Sequence, residues 1–333
     1  MTLDVEATNG QAGFMTGETC DVTVVIPTRN RATLLAGALR SALSQVDVSF
    51  EVRVVDDAST DETAELLSNC LDTRVKPVRH ESSLGVAAAR NRAVSEAKGE
   101  WLAFLDDDDL WSPTWLRTAL EIARTQKAGA VYGSRWIIDD CRRVTDAWPA
   151  ADASQVRDAL ATHNVFGGPS GVMVRADVMA TAGEFDERLS ALADWEMWLR
   201  VLDICDAAPV PDFLIAYTIH SGNMHTRDPF GYLAEFDVFA RILKSREGTT
   251  TSVDKARFVR WLAVEAARAG RRRTAARLWL RRARITRKPE DVARAGLALT
   301  RGETVDGGFA ATPGWISALG HAATDVGVSY SLL

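Results

Sequence analysis

Short apolar runs and longer stretches of helical spacing alternate over the first third of the chain. Val22-Thr23-Val24-Val25-Ile26 is a β-branched run stopped by Pro27, which predicts a buried strand. Residues 31–45 follow with Leu34, Leu35, Ala38, Leu39, Ala42 and Leu43 at the 3.6-residue period of a helix. A second strand is predicted over Phe50 to Val55, ending at Asp56-Asp57. Ala58 to Glu62 then opens a helix, with Thr60 or Asp61 as its cap. Val75 to Val78 reads as a third strand, Gly85 to Ala97 as an Ala-rich helix and Trp101 to Leu105 as a fourth strand. Four such alternations within about 90 residues predict a parallel sheet covered by helices on both faces.

The pattern is mixed over 130–220. Val131 to Ser134 and Ser170 to Val174 predict strands, Asp177 to Ala182 and Ala191 to Asp203 predict helices, and Pro209 to Ile219 a last strand ending at His220. From about residue 230 the spacing is helical throughout, over 231–245, 252–269, 271–288 and 289–299, with breaks at Gly248, Gly270 and Pro289. The stretch Trp261 to Leu299 loosely resembles one tetratricopeptide-like helix pair. One unit is too few for a free-standing solenoid, so it reads as a helical cap on the preceding domain. Residues 1–20 read as a disordered leader, with Met15 an alternative start, and 301–333 as a tail of undetermined structure.

Composition narrows the class. A chain of 333 residues with 47% apolar and 25% charged positions can bury a large core unaided. A net charge of −6 argues against a general nucleic-acid partner. Cys20, Cys70, Cys141 and Cys205 form no CxxC pair, which speaks against a zinc site or a disulfide framework and for a reducing cytoplasm. Asp4 and Glu6 stand where a signal peptide carries Lys or Arg, and no run of 18 apolar residues exists.

The chemistry gathers at predicted strand ends: Pro27-Thr28-Arg29-Asn30, Asp56-Asp57 and the four consecutive aspartates Asp106 to Asp109. Open α/β sheets bind ligands beyond the carboxyl ends of their strands. Four adjacent carboxylates repel one another unless positive charge lies among them, and a divalent cation with hard oxygen ligands is one such charge. The alternative is a solvated acidic turn.

The ordered set Val24-Val25-Ile26-Pro27-Thr28-Arg29-Asn30-Arg31, Val54 to Thr60, Leu84 to Asn91, Phe104 to Asp109 and Gly183 to Glu187 followed by Asp194-Trp195-Glu196 resembles the family 2 glycosyltransferases, an inverting group with the GT-A fold. The resemblance covers about residues 22–225. It implies an α/β fold of GT-A type, a mostly parallel sheet flanked by helices over 21–228. Within it, a nucleotide-sugar half spans about 21–110 and an acceptor half about 111–228, and a helical extension follows over 229–300. It implies a nucleotide-diphosphate sugar donor, most often a uridine one, and Mn²⁺ or Mg²⁺.

Site roles follow residue by residue from the resemblance. Pro27, Thr28 and Arg29 would lie along the nucleotide. Asp57 would accept from uracil N3–H, against the alternative of a helix cap. Gly85 would let the backbone approach the ligand, and Arg90 would meet the base, a phosphate or an aspartate. The family's D-x-D element falls on Asp106 and Asp108, with Asp107 blurring the register. Asp108 and Asp106 would contact the metal, Asp106 also the ribose, and Asp106 and Asp107 the donor. His220 would join the metal or diphosphate, with His225 as competitor. Asp194 falls on the family's catalytic base, enclosed by Trp195 and Trp198, with Glu196 as fallback. The preceding Glu of the family pattern is Ala193 here, a departure. The loop from His163 to Ser170 would face the acceptor.

Nine Arg or Lys and no acidic residue occur within 271–288. Arg273, Arg277, Arg281, Arg284 and Lys288 share a face opposite Ala275, Leu278, Trp279 and Ile285. That face would rest on an anionic membrane at its inner side, pair with acidic surface, or stay solvated. The acceptor is open among a glycan, a lipid-linked sugar, a small molecule and a peptide, and a homodimer is compatible with the pattern. Two rival readings are a non-catalytic nucleotide-sugar binding scaffold and a sugar-nucleotide pyrophosphorylase. The latter lacks its Gly-rich loop, since Pro27-Thr28-Arg29-Asn30 contains no glycine.

Overall fold

A computed structural model describes residues 20–220, 222–223, 228–245, 253–300 and 312–320. The leader 1–19, His225, Gly248 and most of the tail after 300 lie outside the described residues. The first half runs β1 (Cys20–Thr28), α1 (Ala32–Leu43), β2 (Phe50–Asp56), α2 (Thr63–Ser68), β3 (Val75–Arg79), α3 (Val86–Ser95) and β4 (Gly99–Phe104). Then come β5 (Leu110–Trp111), α4 (Trp115–Gln126), β6 (Ala130–Ile138), β7 (Val144–Trp148), α5 (Val156–Thr162), a 3₁₀ turn (Pro169–Gly171), β8 (Val172–Arg175), α6 (Ala176–Ala182), α7 (Ala193–Ile204) and β9 (Ala207–Thr218).

The strands form one sheet in the order β3-β2-β1-β4-β8-β6-β9-β5, with β7 pairing antiparallel to β6 off this path. β3, β2, β1 and β4 are parallel, as the alternation predicts. β8 then runs antiparallel to both β4 and β6, while β6 and β9 are parallel. The apolar runs of β1 and β4 are buried throughout, Val22, Val24, Val25, Ile26 and Ala103 at 0% exposure, because helices cover both faces. The chain has the GT-A fold: a mixed α/β sheet flanked by helices, followed by C-terminal helices.

Four elements before the end of β9 are absent from the sequence reading. The two-residue β5 and the half-exposed β7 carry too few apolar positions to register, α5 is only seven residues long, and α4 buries Leu116, Ala119, Leu120 and Ala123. The 170–174 strand begins later, because Pro169–Gly171 forms a 3₁₀ turn. Neither Thr60 nor Asp61 stands at the N-cap of α2, which is Glu62. Asp61 still accepts from the Thr63 N–H at 3.1 Å and from the Ala32 N–H at 3.1 Å, so it ties the starts of α1 and α2 together.

The C-terminal part holds α8 (Pro229–Ser245), α9 (Lys255–Arg268), α10 (Arg272–Thr286), α11 (Pro289–Thr300) and α12 (Gly314–Gly320). α9, α10 and α11 pack in succession. Trp195 of α7 packs against Phe236 and Phe239 of α8 and Phe258 of α9, so these helices share a continuous core with the sheet. Ala275, Leu278 and Trp279 of α10 are buried as their spacing predicts. Ile285 is a correction: it is 42% exposed, beside the basic face rather than opposite it. No helix among the described residues is long and apolar enough to cross a membrane.

Candidate active site

A cleft of about 710 Å³ opens at the carboxyl ends of β1, β2 and β4. Pro27, Thr28, Arg29, Asp57, Gly85, Arg90, Asp106, Asp107, Asp108 and Asp194 all line it. The end of β1 is fastened to the end of β2: Asn30, in the left-handed region at φ 54°, accepts from the Thr60 N–H at 2.6 Å and donates its N–H to Ser59 Oγ at 2.9 Å.

Asp57 is buried and saturated by its own chain. Its Oδ1 meets His80 Nδ1 at 2.8 Å and the Leu84 N–H at 2.8 Å, and its Oδ2 accepts from Ser83 Oγ at 2.7 Å and the Gly85 N–H at 2.9 Å. Burial opposes its ionisation, but these donors outweigh it and hold the carboxyl down at about 2. Asp57 therefore fastens the loop that leads into α3 and does not cap α2. Gly85 has φ 96°, a region L side chains rarely adopt, while a Cβ there would meet nothing within 4 Å. The need for glycine is thus conformational.

The acidic cluster is compensated by arginines. Arg31 Nη1 lies 2.9 Å from both Asp107 Oδ1 and Asp108 Oδ2, and Arg90 Nη2 lies 2.7 Å from Asp106 Oδ1. Thr28 Oγ1 donates to Asp107 Oδ2 at 2.7 Å. Of the partners open to Arg90, the structure shows the aspartate. Arg31 is missing from the predicted site set, although it follows the Pro27–Asn30 strand end directly in sequence. Burial, and next the charge of Asp108, push Asp107 up to about 7. The same causes raise Asp109, and burial also raises Asp106.

His220 joins this group, its Nε2 3.0 Å from Asp108 Oδ2. Carboxylate oxygens of Asp106, Asp108 and Asp109 lie within 4.8 Å of one another. Asp109 Oδ1 accepts from the Thr218 N–H at 2.9 Å, while its buried Oδ2 has no hydrogen-bond partner among the described residues. Hard oxygen donors, an orphaned buried oxygen and an adjacent imidazole fit a divalent cation. Asp109 is a candidate the D-x-D register alone does not reveal.

Asp194, at the start of α7, is buried and faces the same cleft. Burial pushes its carboxyl up to about 6, against a lowering by Arg90. Asn164 Nδ2 donates to its Oδ2 at 3.2 Å, and the buried Asn164 Oδ1 has no partner among the described residues. Trp195 lines the cleft, whereas Trp198 packs edge-on against Phe104 and Phe185 in the core. Glu196 is a correction: at 0% exposure it is turned into the protein, with Arg200 Nη2 at 2.8 Å from its Oε2, so it cannot serve as fallback base. The loop holding Asn164 rests on buried Arg135, which donates to the Phe166 carbonyl and lies under Gly167.

The wall opposite the strand ends includes Arg257, Arg260 and Trp261 of α9, with Trp148 and Tyr217 of the sheet. Sequence reasoning identifies α9 as a helix but assigns it no part in the site, since its cleft-facing residues are read only once the helix is docked.

Residues 23–179 match the glycosyl transferase family 2 model. A UDP-Glc:alpha-D-GlcNAc-diphosphoundecaprenol beta-1,3-glucosyltransferase of Escherichia coli is 33% identical over 119 residues, 36% of this chain and 47% of that protein. A succinoglycan biosynthesis protein of Rhizobium meliloti is 41% identical over 110 residues, 33% of this chain and 31% of that protein. The chain thus spans less than half the length of these two relatives. Staphylococcus aureus TarS 1–349 in complex with UDP-GlcNAc has a TM-score of 0.56 at 19% identity, covering 90% of this chain and 83% of that one. A mannosyltransferase of Pyrobaculum calidifontis with GDP-Man and Mn²⁺ gives 0.55 at 18% identity, covering 86% and 88%. By this match and its ordered motifs, residues 23–179 form a glycosyl transferase family 2 segment.

Proposed function

We propose that the chain moves a sugar from a UDP-sugar to an acceptor hydroxyl with inversion, and that Asp194 is the base. The observation that carries this reading is the Asp194 carboxylate, buried, raised to about 6 and facing the same cleft as the strand ends of β1, β2 and β4. A base with a pKa just below neutrality is ionised at pH 7 yet holds a proton well, the balance general-base catalysis requires. In the reaction, the acceptor oxygen attacks the anomeric carbon from the face opposite the diphosphate as its proton passes to Asp194. The bond from the anomeric carbon to the diphosphate oxygen breaks, and UDP leaves.

Pro27, Thr28 and Arg29 line the nucleotide's path. Uracil N3–H reaches Asp57 by taking the place of the Ser83 hydroxyl, the one of its four donors with a freely rotating O–H. Arg31 and Arg90 supply positive charge beside the diphosphate. A divalent cation, Mn²⁺ or Mg²⁺, held by Asp106, Asp108 and His220 with Asp109 adjoining, would stabilise the charge of the leaving diphosphate. Names of relatives support the uridine donor: two Escherichia coli proteins of 33% and 31% identity use UDP-Glc. The acceptor is a glycan, lipid-linked sugar, small molecule or peptide. The exposed basic face of α10 suits a seat on an anionic membrane surface.

Thermal unfolding with UDP, GDP, dTDP and CDP, each with and without Mn²⁺, tests the donor. Ligand binding to the folded state alone raises its stability by RT ln(1 + [L]/Kd). A Mn²⁺-dependent shift with UDP that is lost in Asp108→Asn is expected. Binding of UDP with no turnover on any acceptor would favour a scaffold, and no shift with any nucleotide would overturn the reading.

A further inference from the structure

We infer that Arg135 is a positioning residue of the transfer: from beneath the 164–171 loop it sets the spacing between Asp194 and the acidic cluster. The inference rests on the proposed reaction and adds a side chain that does not line the cleft.

The loop bridges the two halves of the site. At one end Asn164 Nδ2 donates to Asp194 Oδ2 at 3.2 Å. At the other, Ser170 Oγ accepts from the Asp106 N–H at 3.0 Å, and the Ser170 carbonyl accepts from Trp111 Nε1 at 2.6 Å. Between them the buried Phe166 ring stacks on Tyr132 at 4.5 Å. Gly167 and Gly168 line the cleft, so a substrate meets the upper side of the bridge. Transfer needs the anomeric carbon, placed by the diphosphate at the acidic cluster, within reach of an oxygen placed by Asp194. An error of about 1 Å in such a spacing costs on the order of a hundredfold in rate.

Arg135 of β6 supports the span from the protein side. It is 3% exposed and donates to the Phe166 carbonyl. Two glycines close over its guanidinium: a Cβ on Gly167 would stand 2.7 Å from Nη1, and one on Gly171 3.0 Å from Nη2. The loop therefore takes its height from this side chain. Burial pulls the guanidinium down to about 10, so it stays protonated near neutrality. Among the described residues no carboxylate lies within ion-pair distance of it, and its buried Nη1 has no hydrogen-bond partner. A buried cation without a contact partner is costly, and a neutral amide would serve the Phe166 carbonyl at less cost. The carboxylates that offset the charge from a distance include Asp109 and Asp194, one at each end of the bridge. Attraction toward both ends keeps the middle of the loop in register with them.

The test follows the Asp194 carboxyl of the whole chain by carbon-13 NMR, its signal assigned with Asp194→Asn. The UDP-induced thermal shift and the kcat and KM of UDP-glucose hydrolysis are measured alongside. Arg135→Met is expected to keep the thermal shift and KM while lowering kcat about 10–100-fold. It should raise the Asp194 inflection by about one unit, as Asn164→Leu does. Arg90, Asp106 and Tyr232, which also act on Asp194, are unchanged in these variants. In the double variant the two rises should not add, because both substitutions remove the same hydrogen bond. Gly171→Ala displaces the guanidinium without removing its charge, and should lower kcat and raise the inflection in the same sense. It decides the matter alone if Arg135→Met does not fold. Additive rises, which would mean that Arg135 acts by charge alone, overturn the inference, as does Gly171→Ala with wild-type kcat and inflection. Absence of a UDP-induced shift in the wild type overturns the donor reading instead, and the Asp194 titration still decides the link to Arg135.

Discussion

With Asp194 as the proposed base, its acidity sets the pH dependence of the proposed transfer. Burial lifts this carboxyl from the usual aspartate value of about 3.9 to about 6, and only the ionised form can take the acceptor proton. The ionised fraction is then about 10% at pH 5, half at pH 6 and about 90% at pH 7. The turnover rate at saturating donor should fall tenfold between pH 7 and pH 5. Stability moves the other way: a carboxyl with a raised folded-state pKa contributes stability below about pH 4 that is lost as pH rises through 6. Asn164 donates to the ionised form at 3.2 Å. A hydrogen bond to a charged group is worth about 1.5–3 kcal/mol, or about 1–2 pH units. Asn164→Leu should therefore move the inflection upward by about one unit while leaving UDP binding intact. The assay is UDP release under saturating donor from pH 5 to 8. A rate that is flat across that range, or the same inflection in Asn164→Leu, would refute the assignment.

Three further outcomes follow from the geometry. Glu196→Gln should leave the pH profile in place but cost about 1.5–3 kcal/mol of stability in urea unfolding, because it removes the charged partner of Arg200 and leaves that guanidinium only the Ala182 and Glu184 carbonyls. Gly167→Ala places a Cβ 2.7 Å from Arg135 Nη1 at φ 64° and should displace the Asn164 loop, lowering kcat at least tenfold with little change in the UDP thermal shift. EDTA should abolish most of the UDP-induced shift in the wild type, and Asp108→Asn should be insensitive to it.

The parallel half of the fold is legible because β1 and β4 are buried on both faces and read as β-branched or apolar runs, and β2 sets Phe50, Val52, Val54 and Val55 around Glu51 and Arg53, all three ending at polar strand tips. Thr28, Asp57 and Asp106 to Asp108 stand at those tips and come from local sequence, Asp194 at the start of α7 comes from the resemblance alone, and all of them meet in one cleft. β5 and β7 exist only through their partners, Leu110 beside Ala216 and Ile137 beside Asp146, and no local period marks them. Asp57 shows a different limit. Its position is legible, but its four donors come from residues 80–85, which are joined to it by tertiary folding. Arg31 is visible as a charge after the first strand, yet its role depends on two aspartates 76 and 77 residues away. The cleft-lining face of α9 is set by docking onto Trp195.

The most direct test follows the anomeric proton by NMR while the chain slowly hydrolyses UDP-α-D-glucose in the presence of Mn²⁺ and without acceptor. Water then stands in for the acceptor hydroxyl at Asp194. Initial release of β-glucose, absent from Asp194→Asn, is the predicted result. Initial release of α-glucose, or β-glucose at an undiminished rate from Asp194→Asn, would contradict an inverting transfer driven by this base.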